Sequence, residues 1–164
     1  MLLNKLEKAK RLVEEISTYP PPPQIDFVVE KDVDWLRKQL EPLQVNWIQL
    51  DNKYYMTNQT NFLNIIAWDW TDTYPFIRNR FDCDKRSVMF SSRIHALSFK
   101  SNVNERFLLN QVGIVIDYGS GHAYNLVIFP DGNIMLVEPE SDKIFCWTKR
   151  LKMFYPLSGA YLLL

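Results

Sequence analysis

The sequence predicts an α+β domain in which helices pack against a C-terminal antiparallel β-sheet. Two observations carry this: helical apolar periods fill the chain up to about Asn110, and β-branched and aromatic runs divided by turn residues follow it. A third sets the scale, since 164 residues suffice for one domain with a sizeable core and are too few for two ordinary ones.

Leu2, Leu6, Ala9, Val13 and Ile16 recur at helical spacing with charged residues opposite, so residues 1–19 read as an amphipathic helix. A detached helix of that length is marginal in water, which makes packing against the domain or a second copy its expected role, and with it homo-oligomerisation. Pro20 to Pro23 cannot continue a helix and favour polyproline II, a stiff spacer at 20–23 before a single domain over 24–164. Asp32 is suited to cap a short helix that ends at Pro42, and "VNWIQL" alternates weakly as a strand does. "TNFLNIIAWDW" has a helical period, with Thr60 or Asn61 as its cap. Asp82 reads as the cap of a longer helix reaching about Phe99, with Cys83, Ser87, Phe90, Ile94 and Leu97 on one face. "QVGIVIDY", "HAYNLVIF", "NIMLVEP" and "KIFCW", separated by "GSG", "PDGN" and "ESD", form an antiparallel meander.

Nineteen basic and nineteen acidic residues leave no net field to attract phosphates, so no nucleic-acid partner is expected. No apolar run is long enough to cross a membrane, and the charged start lacks the form of a secretion signal. With two cysteines and no disulfide framework, a reducing cytoplasm is the expected compartment, that of the host if the chain is viral.

The chemistry concentrates on Cys83, at the start of a helix where unpaired N–H groups favour an anion. A nucleophilic thiol needs a base within reach, and the base needs a group to orient it. His95 lies about 18 Å along the same helix, too far to serve. His122, after "GSG", shares a strand face with Tyr124, Leu126 and Ile128, whereas Asn125 points the other way. Glu138 is the better third member, provided the hairpin register allows it. If Pro130-Asp131-Gly132 forms a three-residue loop, Glu138 falls opposite Tyr124 and on the His122 face; a two-residue Asp-Gly turn reverses it. Asp82 and Asp84 flank the thiol, and with Glu138, Glu140 and Asp142 they make an all-oxygen set of the kind calcium prefers. Cys146 reads as a small hydrophobe of its strand.

Taken together, "FDCDK", "GHAYN" and "VEPESDKI" resemble the papain-like cysteine-protease domain found at the C-terminus of the fairy-ring mushroom agglutinin and in smaller phage and bacterial relatives. The family pattern is Asp-Cys-Asp-Asp-Phe, then Gly-His-Ala-x-Asn, then Glu-Pro-Gln-x-Asp. The resemblance implies a papain-like fold and a cysteine hydrolase, peptidase or amidase, acting on a peptide or protein substrate through an acyl-enzyme. Cys83 would be the nucleophile, His122 the general base and acid, and Glu138 the orienting group. The Cys83 N–H would serve as one oxyanion donor, with Gln59 the upstream candidate for a second. It further implies calcium held by Asp84, Glu138 and Glu140. Lys85 departs from the pattern, standing where the family has its second Asp. Two other readings are expected to compete: an inactive viral or host-interaction protein that keeps the fold, and a calcium-binding module without catalysis.

Overall fold

The computed structural model describes residues 21–73, 75, 77, 82–100, 106–146 and 160–164. The amphipathic helix expected at 1–19 lies outside them, and residues 21–23 of the proline run are neither helix nor strand.

Strand β1 (Val29–Asp32) leads directly into helix α1 (Val33–Leu40). Asp32 caps that helix, accepting the Trp35 N–H at 2.7 Å, and Pro42 turns the chain into a single 3-10 turn at Glu41–Leu43. Strands β2 (Asn46–Ile48) and β3 (Lys53–Met56) follow, then helix α2 (Gln59–Trp68). Its cap is Asn58 rather than Thr60 or Asn61, because Asn58 Oδ1 accepts the Asn61 N–H at 2.9 Å. Helix α3 (Cys83–His95) ends a turn before Phe99, since the chain becomes strand β4 (Ser98–Lys100), paired with β5 (Arg106–Leu108). The expected meander is then observed as β6 (Val112–Asp117), β7 (His122–Ile128), β8 (Ile134–Glu138) and β9 (Lys143–Cys146), and β10 (Tyr161–Leu163) closes the described chain.

The expected papain-like plan, helices against a C-terminal antiparallel sheet, is corrected at this level. The principal sheet has six strands in the order β2-β10-β6-β7-β8-β9, and it is mixed because β10 runs parallel to β2. One of its strands therefore comes from the first third of the chain. Nor do the helices share one face. Leu36 and Leu40 of α1 pack with Tyr54 and Met56 of β3 against Tyr124, Leu126 and Leu136, on one side of the sheet. Phe62 and Ile65 of α2 and Phe90 and Ile94 of α3 pack against Val127, Met135 and Val137 on the other. The physical reason lies in β7 and β8, whose residues 123–128 and 134–137 are buried without alternation. A strand apolar at both parities needs cover on both faces. The result is a mostly sheet, mixed α/β domain.

Two glycines fix backbone positions in the sheet. Gly113 on β6 lies so close to β10 that a Cβ there would meet Leu162 Cδ1 at 2.5 Å and the Leu163 carbonyl oxygen at 2.8 Å. Gly132, at φ +86°, closes the β7–β8 loop, where the Phe129 and Gly132 N–H groups donate to Asn133 O and Phe129 O, both at 2.9 Å. That is the three-residue loop with a left-handed glycine.

Candidate thiol–imidazole–carboxylate site

The loop decides the register, and the register decides the site. Ile128 pairs with Ile134 and Asn125 with Val137, so Glu138 falls on the face of His122, the alternative that requires the three-residue loop. Their side chains meet at 2.6 Å between His122 Nε2 and Glu138 Oε2. With Nε2 engaged, Nδ1 is the ring nitrogen left for the thiol. Cys83, half-buried at the first position of α3, lies beside the ring.

The Glu138 hydrogen bond raises the His122 pKa from 6.5 to about 9, against the opposing effect of burial and with smaller help from Cys83. Such an imidazole readily accepts a proton. Asp117, its cross-strand partner, is fixed as the anion by Ser120 Oγ–H at 2.6 Å and by the Gly119 and Ser120 N–H groups, which hold its pKa below the usual value.

Asn125, expected to point away from His122, is fully buried on the other face. Its Nδ2 donates to the Ser87 carbonyl at 3.0 Å and the Gly113 carbonyl at 3.2 Å. Ser91 Oγ donates to Val112 O at 3.2 Å. These bonds tie α3 to β6 and β7, and thereby place Cys83 relative to His122. Strand parity excludes Asn125 as a triad member and gives no hint of its role as the tether. An amide in a strand with apolar neighbours at both parities is the signal that could have found it.

Asp82 takes the N-cap position, yet its side chain makes no capping bond. Its Oδ1 accepts from Lys85 Nζ at 2.8 Å. The same ammonium reaches Asp84 Oδ1 at 3.1 Å and Oδ2 at 3.3 Å, and the Lys85 N–H donates to Asp84 Oδ1 at 2.9 Å. Asp82 first, then Asp84, raise the Lys85 pKa above its ordinary value.

The expected calcium ligands Asp84, Glu138 and Glu140 do not come together as a set. Both Asp84 oxygens are on Lys85, Glu140 faces solvent, and among the described residues no three His, Cys, Asp or Glu side chains converge as a metal site. Glu138 Oε1 and Asp142 Oδ1 are buried without a hydrogen-bond partner. Asp142, however, has its pKa pushed up to about 7 by burial and by Asp72 and Asp69, which makes it a reluctant anion. Among the described residues these carboxylates therefore do not make up an oxygen shell of six to eight ligands.

Gln59 does not stand by the thiol. It lines a cavity of about 240 Å³ with Gly132, Asn133 and Cys146, beside Ile134 at the far end of β8 from Glu138, about 13 Å along the strand. Cys146 is exposed rather than buried.

The ricin-type beta-trefoil lectin C-terminal domain family matches residues 6–149. The chain belongs to that family. Among solved structures it is similar to "PSL1a-E64 complex", at 16% identity and a TM-score of 0.60, over 82% of this chain and 50% of that one. It is also similar to Polyporus squamosus lectin bound to the human-type influenza-binding epitope Neu5Aca2-6Galb1-4GlcNAc, at 17% identity and a TM-score of 0.58, over 82% and 49%. The chain thus spans about half the length of the structures it matches. No curated protein matches it.

These findings correct the papain-like cysteine-protease resemblance and the cysteine hydrolase and peptide partner drawn from it. The family is a lectin C-terminal domain, the structural neighbours are lectin structures, and one of them carries a sialylated saccharide. The inactive host-interaction protein and the calcium module expected as alternatives are likewise replaced by membership of the lectin C-terminal domain family. Three short motifs describe local chemistry at three points, whereas family and fold are decided by most of the chain.

Proposed function

We propose that the chain is a domain of a carbohydrate-binding lectin and that it carries a nucleophilic thiol centre. Cys83 is the nucleophile, His122 takes and returns its proton, and Glu138 orients and charges the imidazole. The observation that carries the thiol centre is the 2.6 Å contact between His122 and Glu138, which leaves the other ring nitrogen for Cys83. The lectin assignment rests on the family. The surface that suits a sugar is a groove of about 520 Å³ between α1 and β2, where the half-buried Trp47 lies among Asp34, Arg37, Glu41 and Gln44. An aromatic face for the ring and several donors and acceptors for hydroxyls are what saccharide recognition needs.

Intact-mass and peptide mapping after brief treatment with iodoacetamide, and separately with E64, tests the thiol centre. Cys83 is expected to label faster than the more exposed Cys146, and His122→Ala is expected to abolish the preference. Faster labelling of Cys146, or a preference that survives His122→Ala, would refute it. Titration of Trp fluorescence with sialylated and neutral oligosaccharides tests the groove. A response lost in Arg37→Ala supports it, and no response to any saccharide overturns it without touching the thiol centre.

A further inference from the structure

We infer that Lys85 is an intramolecular counter-ion: its ammonium compensates the two aspartates that flank Cys83, so that the thiol centre works without a bound metal cation. The inference rests on the thiol centre proposed above. Three observations carry it. Cys83 begins α3 with a carboxylate on each side, an arrangement that by itself opposes formation of negative charge on sulfur. One ammonium lies 2.8 Å from Asp82 and 3.1 and 3.3 Å from the two oxygens of Asp84, so its three protons face both carboxylates. And Asp82, placed to cap the helix, makes no capping bond while its Oδ1 accepts from the lysine, so its carboxylate does not occupy the first N–H groups of α3, of which, among the described residues, only the Lys85 N–H is seen on a side chain, Asp84 Oδ1.

A divalent cation would compensate the same carboxylates by gathering six to eight oxygens. Lysine achieves compensation as a point charge on a four-carbon stem and needs no further ligand. Because Lys85 is substantially exposed, the compensation is screened by salt, which gives it a signature distinct from a packing role.

The experiment measures the iodoacetamide rate at Cys83 with calcium, with a chelator, and at low and high salt, in the wild-type chain, Lys85→Met and Lys85→Arg. The wild-type rate is expected to be the same with calcium and chelator, and to fall with salt. Lys85→Met is expected to be about two- to fivefold slower at low salt, the range a solvent-screened pair supplies, and to gain rate as salt screens the bare carboxylates, and Lys85→Arg to recover the rate. A wild-type rate that collapses on chelation overturns the inference, as does a Lys85→Met rate equal to wild type. If Lys85→Met does not fold, the chelator and salt arms on the wild-type chain decide alone. If wild-type Cys83 is no faster than Cys146 under any condition, the thiol centre itself fails, and the two failures are told apart.

Discussion

Replacing Glu138 by Gln keeps the size of the side chain and removes the charge that holds the His122 imidazolium. The rise from 6.5 to about 9 corresponds to a preference for the charged ring on the order of 3 kcal/mol. The ring is 29% exposed and the carboxylate 19%, so solvent screening reduces the net contribution to about 1–2 kcal/mol. The sign follows from the direction of the shift. A histidine with a raised folded pKa stabilises fully below pH 6.5, and that stability is lost as pH rises toward 9. Glu138→Gln should bring the titration midpoint down toward 6.5 and flatten the pH dependence of stability between 6.5 and 9. NMR titration of the imidazole protons in a Cys83→Ser background isolates the ring from its coupling to the thiol. His95 is the internal reference, since burial lowers its pKa and places its midpoint on the other side of 6.5. A wild-type His122 midpoint at or below 6.5, or one that Glu138→Gln does not move, would refute the reasoning.

Three further outcomes follow from the same geometry. Gly113→Ala forces a Cβ against Leu162 and the Leu163 carbonyl, so urea unfolding should show a loss of about 1–3 kcal/mol; an unchanged midpoint would mean that β10 does not pack there. Asp142→Asn removes a carboxylate whose pKa is raised to about 7, and Asn tolerates the φ of +51° at that position. The stability that wild type loses between pH 3.8 and 7 should then be regained, by about 1–2 kcal/mol at pH 8, and equal stability at that pH would count against the buried repulsion. Arg93 pairs with the buried Asp69 and lies 4.7 and 3.8 Å from the ring centres of Trp68 and Trp70. Arg93→Ala should cost about 3–5 kcal/mol by stranding that carboxylate, as measured by thermal or urea unfolding, whereas a cost under 1 kcal/mol would show the pair to be well solvated.

Much of the candidate site is legible in the amino-acid sequence. The cap at Asp32 and the start of α3 at Cys83 are decided by residues within one turn, and the register that brings Glu138 to His122 is decided by Pro130, Asp131 and Gly132. Such signals act over a few residues, where backbone sterics and one side-chain hydrogen bond suffice. The cap of α2 falls at Asn58 and not at Thr60 or Asn61, because Asn58 competes for the same N–H groups. Lys85 is legible as a departure from a motif, but not as a partner of Asp82 and Asp84.

The sequence by itself determined the turn chemistry, the alternation that puts His122 and Asn125 on opposite faces, and the cysteine at a helix start. Tertiary structure alone decided that β2 and β10 pair in parallel from opposite ends of the chain, that helices cover both faces of the sheet, and that Asn125 fastens α3 to β6 and β7. The physical reason is range. A turn or cap is chosen by neighbours along the chain, whereas a parallel pairing or a buried amide is chosen by whichever distant surfaces exclude water together.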